Sequence, residues 1–188
     1  SPYSLSKIGA DFLGRFYAEA FGLRTFVTRM GSHSGPRRSD VFFESTVAKQ
    51  IALIEAGLSE PVIKVGNLNS TRTYHDSRDA VLAYQKLAWA VSTGKVPPGS
   101  VFNVAGSEIF SLKEILETLL SFSAHEGLRV EVDSARFRPI DADQQVFDTR
   151  KLHAAIDWAP VIPVAKMLSD LLDHWRAVIS QGQIPLDR

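Results

Sequence analysis

The sequence predicts an α/β fold with at least part of a parallel sheet, and three observations carry that prediction. Short runs rich in β-branched and apolar residues alternate with longer stretches whose apolar residues recur at helical spacing. A single glycine, Gly22, separates the first helical stretch from the first strand-like run, so helix gives way directly to strand, as in half of a βαβ unit. The box Ser111-Leu-Lys-Glu114 marks a helix start just after another such run.

The elements follow in order. Leu5, Ile8, Phe12, Leu13 and Phe16 form one stripe of a helix from Leu5 to Phe21, and Gly22 stops it. Leu23 to Arg29 reads as a buried strand. Gly31 to Asp40 is turn-rich, with Gly35-Pro36 as breaker, and follows a strand end, where open α/β sheets bind ligands. Phe42 to Ala56 is a helix with Phe43, Val47, Ile51 and Ile54 inward and Gly57 as its stop. Pro61 to Gly66 is a short strand, Asn67 to Ser70 a loop, and Arg72 to Tyr74 a short extended piece. Asp76, Ser77 or Asp79 caps the next helix, which runs to about Val91 with Val81, Tyr84, Leu87 and Ala88 inward.

Pro97-Pro98-Gly99 is a turn, Val101 to Ala105 a buried strand, and the helix opened by Ser111 continues through Phe122. Leu128 to Val132 is a strand, and Asp148 caps a short helix through Ile156. Pro163 opens the last helix, whose stripe is Val164, Met167, Leu168, Leu171, Trp175 and Val178. Trp89, Trp158 and Trp175 are expected to pack in the core or a lid.

Composition narrows the function classes. With 188 residues and 45% hydrophobic content, the chain can bury one sizeable core or a domain and a half. Lys+Arg and Asp+Glu both number 21, so no global charge draws it to nucleic acid or an anionic membrane. No apolar run approaches the ~18 residues of a membrane span. Cysteine is absent, which rules out disulfides and thiolate metal sites and fits a reducing, cytoplasmic setting. The five histidines show no metal-ligand spacing. The chain starts at Ser1, not Met, which reads as a processed or truncated product.

Tyr3 and Lys7 lie one helical turn apart on one face. A cation that close favours the phenolate and so lowers the tyrosine pKa from its usual ~10, suiting it to move a proton near neutral pH. The same residues also read as an ordinary helix start with Ser4 or Ser6 near the cap.

Four segments occur in order: Ser1-Pro-Tyr-x-x-x-Lys7, Arg29-Met-Gly-Ser-His-Ser-Gly-Pro36, Val65-Gly-Asn-Leu68 and Thr71-Arg-Thr-Tyr-His-Asp-Ser-Arg-Asp79. Together they resemble the later half of the extended short-chain dehydrogenases/reductases that modify nucleotide sugars. GDP-mannose 4,6-dehydratases and GDP-4-keto-6-deoxymannose reductases are the members they look most like. The resemblance runs to about Arg176.

It implies the C-terminal part of a doubly wound, Rossmann-like parallel sheet plus a small α/β substrate-binding subdomain. Residues 1–35 and 72–106 would be the remnant of the dinucleotide-binding domain, and 36–71 and 107–188 the substrate-binding subdomain. It further implies Tyr3 as acid/base and Lys7 as the cation that tunes it and holds the cofactor ribose, with Met30 near the nicotinamide. Ser32, Lys49, Arg72, Arg138 and Asp141 would meet the substrate, and Arg72 would clamp the diphosphate. Taken without the resemblance, Arg72 is a solvated loop arginine, Lys49 a charge on a helix's wet face, and Arg138 and Asp141 a local ion pair on a turn.

This chain departs from the family pattern. Met30 stands for a proline, Ser32 for an asparagine and Thr73 for an aspartate, which bears on the identity of the substrate. No Gly-x-Gly-x-x-Gly turn is present to cradle a dinucleotide. NAD or NADP is therefore expected in the complete enzyme and no dinucleotide on this chain alone. The expected partners are a nucleotide-sugar substrate and either a second copy in a homodimer or a missing N-terminal half. Two other readings remain: one chain of a two-piece enzyme, or a non-catalytic binding or dimerisation module.

Overall fold

The computed structural model describes residues 2–137 and 143–182. Helix α1 (Pro2–Phe21) ends where Gly22 takes φ 66°, a left-handed conformation that a side chain resists. Strand β1 (Phe26–Met30) follows and pairs in parallel with β5 (Ser100–Val104), Phe26 opposite Ser100 and Met30 opposite Val104.

The segment expected to be a plain turn contains a strand, β2 (Ser32–Ser34). It pairs in parallel with β4 (Thr71–Asp76), with His33 opposite His75. Serines and glycines announce a loop, but a neighbouring strand supplies the backbone partners that make this one extended. β4 also outruns its expected three residues. Its first half pairs antiparallel with β6 (Ile109–Ser111) and parallel with β8 (Gln144–Gln145). β3 (Val62–Val65) pairs in parallel with β7 (Arg129–Val132). The parallel pairs bear out the α/β prediction.

The remaining helices are α2 (Phe43–Glu55), α3 (Ser77–Ser92), α4 (Leu112–Ser121), α5 (Arg150–Ala155) and α6 (Val164–Ser180). Of the three candidate caps for α3, Asp76 accepts the Arg78 amide at 2.7 Å. Asp79 instead turns inward and accepts the amides of Val161 and Ile162. Both bonds of the Ser111–Glu114 capping box form. Asp148 accepts the Arg150 amide at 3.0 Å at the start of α5.

Two apolar clusters hold the molecule together. The larger joins α2, β3, α4 and α6 through Val47, Ile51, Ile63, Ile115, Leu119, Leu168 and Leu171. The smaller joins α3, β5 and α5 through Ala83, Leu87, Phe102, Val104, Leu152 and Trp158. The α6 stripe is buried as predicted, with Val178 partly buried beside it.

Other expectations need correction. On α3, Leu87 is buried, but Val81, Tyr84 and Ala88 face out. The inward face is Ala80, Ala83, Leu87, Ala90 and Val91: apolar residues line both sides of this helix, and the alanines are the ones that let it approach the sheet. Trp158 and Trp175 are buried, whereas Trp89 is exposed. β1, which reads as a buried strand, is only half-buried; β7 is exposed along its length. The stripe on α1 is real, yet no described residue of that helix is buried.

Candidate functional site

Parallel strands that end side by side leave a crevice beyond their carboxyl ends. Here a cleft of about 970 Å³ opens there, bordered by Met30 at the end of β1, Ser32 and His33 of β2, and Val65 at the end of β3. The first half of α2 forms one wall, and Arg72 and Tyr74 of β4 contribute to its floor. Gly31 lets the chain pass between β4 and β5. A Cβ there would come within 2.9 Å of the Ala105 Cβ and 3.0 Å of the Thr73 Oγ1.

The charge of this cleft is lopsided. Among the described residues, Arg38, Lys49, Lys64, Arg72 and Arg136 line it against only two carboxylates, Asp40 and Glu44. The Lys49 ammonium lies 3.0 Å from Asp40, and Arg38 lies 3.5 Å from Glu44 while stacking over the Phe42 ring. Lys49 is 8% exposed, so it does not sit on a wet helix face. Burial pushes the Tyr74 phenol well above its ordinary range, and the neighbouring Glu44 carboxylate adds to that, so Tyr74 stays a neutral donor.

Most of the residues singled out from the sequence meet here. Tyr3, Met30, Ser32, Lys49 and Arg72 all line the cleft. Tyr3 is 71% exposed at the rim. Lys7 is not a lining residue, and its ammonium sits 5.3 Å from the Tyr3 ring centroid, over the ring face. Arg138 and Asp141 lie outside the described residues. Sequence reasoning missed His33, Arg38, Lys64, Arg136 and Gln145, all of which line the cleft. Of these, His33 and Arg38 fall in the turn-rich 31–40 segment at a strand end, a local signal that Lys64, Arg136 and Gln145 lack. An open crevice with surplus guanidinium and ammonium groups suits an elongated anion such as a diphosphate ester.

The fit to a nicotinamide dinucleotide is incomplete. A pyrophosphate cradle needs glycines that open a helix after a strand. Gly22, Gly57, Gly94 and Gly182 take positive φ at the ends of helices, and Gly35, which does follow a strand, is succeeded by Pro36 with no N–H to give. Among the described residues, no glycine of positive φ opens a helix after a strand to form a phosphate turn.

The family model for GDP-mannose 4,6 dehydratase matches residues 1–171. The chain belongs to the GDP-mannose 4,6-dehydratase family. It is 29% identical over 181 residues to the GDP-6-deoxy-D-mannose reductase of Pseudomonas aeruginosa, covering 96% of this chain and 58% of the relative. It is 28% identical to GDP-mannose 4,6 dehydratase 1 of Arabidopsis thaliana, covering 93% of this chain and 46% of that one.

Among solved structures, RMD from Pseudomonas aeruginosa complexed with NADPH superposes with a TM-score of 0.83 at 28% identity, over 94% of this chain and 57% of that one. The UDP-glucuronic acid 4-epimerase of Bacillus cereus in complex with NAD shares the fold, with a TM-score of 0.76 at 21% identity. The chain thus spans about half the length of the curated relatives it matches. These likenesses agree with a mixed α/β, Rossmann-like architecture within the dehydratase family. No helix among the described residues is long and apolar enough to cross a membrane.

Proposed function

We propose that this chain is the substrate-binding portion of a nucleotide-sugar oxidoreductase or dehydratase and that its cleft takes a GDP-linked hexose. The observation that carries the reading is the convergence of Arg72, Lys49, Arg38, Lys64 and Arg136 around one crevice at the strand ends, with Tyr3 on its rim. Arg72 would hold the diphosphate by charge-assisted hydrogen bonds and Lys49 would add to the field, while Ser32 meets the sugar. Where Arg138 and Asp141 belong to the same site, they meet the nucleotide. The Tyr3 hydroxyl would give or take the proton of a sugar hydroxyl, with the Lys7 ammonium 5.3 Å from the Tyr3 ring centroid.

Without a phosphate turn, the chain alone binds NAD(H) or NADP(H) weakly and does not turn over substrate. The exposed stripe of α1, and a β1 that pairs only with β5 among the described residues, favour a further polypeptide: a second copy, or a separate chain supplying the dinucleotide-binding half. The absence of cysteine supports work in the reducing cytoplasm.

The test is calorimetric titration of GDP and GDP-mannose into the wild type and Arg72→Ala at one fixed salt concentration. The variant should lose about 1.5–3 kcal/mol of affinity, the range for hydrogen bonds to charged groups, and keep its fold by circular dichroism. Equal affinities would leave Arg72 an ordinary strand residue and remove the diphosphate reading. Parallel titration with NADPH should give no saturable heat.

A further inference from the structure

Beneath the cleft floor lies a second polar cluster that the nucleotide-sugar reading does not use. Ser34, Thr73, His75 and Asp79 are each at most 2% exposed, and each keeps a polar side-chain atom without a hydrogen-bond partner. Neither ring nitrogen of His75 makes a hydrogen bond of good geometry, although the Ser32 backbone lies close enough to favour its protonated form. The His75 ring lies 5.8 Å from that of His33, its register partner on β2, and 6.1 Å from the Trp158 ring, edge to face. His33 lines the cleft, and its Nδ1 lies 3.1 Å from the Gly31 carbonyl oxygen. The imidazole of His75 is thus packed between a wall of the cleft and the segment that leads into α6.

The charged groups around it leave little to balance a proton. From β4, both oxygens of Asp76 are held by Arg78, which also reaches Asp170 of α6 at 2.7 Å. From α3, the Asp79 Oδ2 already accepts two amides, so only its Oδ1 is uncommitted. From β2, His33 contributes a second imidazole. Burial pushes the His75 pKa down to about 4, and the neighbouring His33 adds to that; Asp79, Asp76 and the Ser32 backbone oppose it.

We propose that His75 is an acid-sensitive latch: neutral, it lets Ser32-His33-Ser34 lie against β4, and protonated, it cannot stay packed between His33 and Trp158, so β2 and the Trp158 segment part from β4. Because the folded site favours neutral imidazole, the stabilisation is present above the ordinary histidine pKa and is lost as pH falls from there toward about 4. Between pH 7.5 and pH 5 the opening equilibrium should rise on the order of 30-fold, given an open-state pKa of 6.5 and a closed one of about 4. The latch does not depend on which ligand the cleft takes, because its opening is a property of the protein alone.

The experiment is amide hydrogen exchange at pH 7.5, 6 and 5, corrected for intrinsic rates, on the wild type, His75→Gln and His75→Thr. In the wild type, peptides covering residues 32–34 and 157–162 should open roughly 30-fold more at pH 5, while the Leu168 to Leu172 turns of α6 stay protected. Both variants should show no such pH response. An equal response in the variants, or a rise spread equally into α6, would overturn the proposal. Should neither variant fold, the wild type decides it by carbon-proton correlation spectra of its histidines. A His75 midpoint below about pH 5 supports the latch, and one near the ordinary ~6.5 overturns it.

Discussion

Helices α1 and α6 are written in the same code and meet opposite fates. Each carries an apolar stripe at helical spacing, Leu5, Ile8, Phe12, Leu13 and Phe16 on one, Val164, Met167, Leu168, Leu171 and Trp175 on the other. On α6 every one of those residues is buried against α2 and α4. On α1 every one is more than half exposed. The anchoring differs in kind as well. Arg176 of α6 grips both oxygens of Glu55 at 2.8 Å and the Phe122 carbonyl, and the Trp175 indole donates to Ser45. α1 is tied to β1 by Asp11 with Arg29, by a hydrogen bond from the Thr25 hydroxyl to the Gly14 carbonyl, and by the close approach of Gly14 to Val27. Amphipathic spacing states that a helix needs cover; it does not state which polypeptide supplies it.

Truncations on the two stripes give the widest separation. Leu168→Ala should cost on the order of 2–5 kcal/mol in urea unfolding, because a fully buried leucine leaves both lost transfer energy and a cavity. Phe16→Ala should cost under about 0.5 kcal/mol in a monomeric chain, as surface substitutions do. A Phe16→Ala loss that approaches that of Leu168→Ala, and grows with protein concentration, would show the α1 face covered by a second copy.

The polar anchors come next. Glu55→Ala should cost about 1–3 kcal/mol, toward the lower end because Arg176 is partly wet. Asp11→Ala should cost no more than about 1 kcal/mol, since Arg29 is well exposed. The Arg176 guanidinium holds the Glu55 carboxyl below its ordinary range. Its stabilisation is therefore present above the ordinary glutamate pKa and is lost as pH falls through the lowered value. The difference between wild type and Glu55→Ala should shrink across that acid window, and a constant difference down to pH 3 would break the assignment.

The smallest effect has the opposite sign. Gly9 sits within α1 with nothing inside 4 Å of the position a Cβ would take. Gly9→Ala should stabilise by about 0.5–1 kcal/mol through helix propensity alone. A destabilised Gly9→Ala variant would mean that something presses on α1 at that point.

The fold was legible wherever periodicity and end signals agreed. The α6 stripe, the Gly22 and Gly57 stops and the Ser111–Glu114 box read directly because each is a local instruction. β2 and β6 were not legible: Ser32-His33-Ser34 has no apolar alternation, and only the neighbouring β4 makes it a strand. The inward face of α3 misread because bulky Val81, Tyr84 and Trp89 outweigh small Ala80, Ala83 and Ala90 in any hydrophobic count, while close packing prefers the alanines. In the cleft, Tyr3, Met30, Ser32 and Arg72 came from motif order and Lys49 from a basic helix position of the resembled family. Arg38, Lys64 and Arg136 lie on segments far apart in sequence that converge only after folding.

β4 is six residues long and has a different job on each side. Arg72 and Tyr74 line the cleft, while Thr73 and His75 are buried in the layer behind it. Because strand side chains alternate, ligand contact and interior packing are assigned by parity alone. A point substitution at Arg72 can retune the crevice and leave the interior largely untouched, whereas Tyr74, 4% exposed and part of the larger apolar cluster, serves both. Loss or gain of one residue in the Asn67 to Ser70 loop would, if the register slipped, send Thr73 and His75 to the ligand and Arg72 inward, a guanidinium in place of a neutral side chain. Length in that loop is therefore far less free to change than the identity of any residue within it.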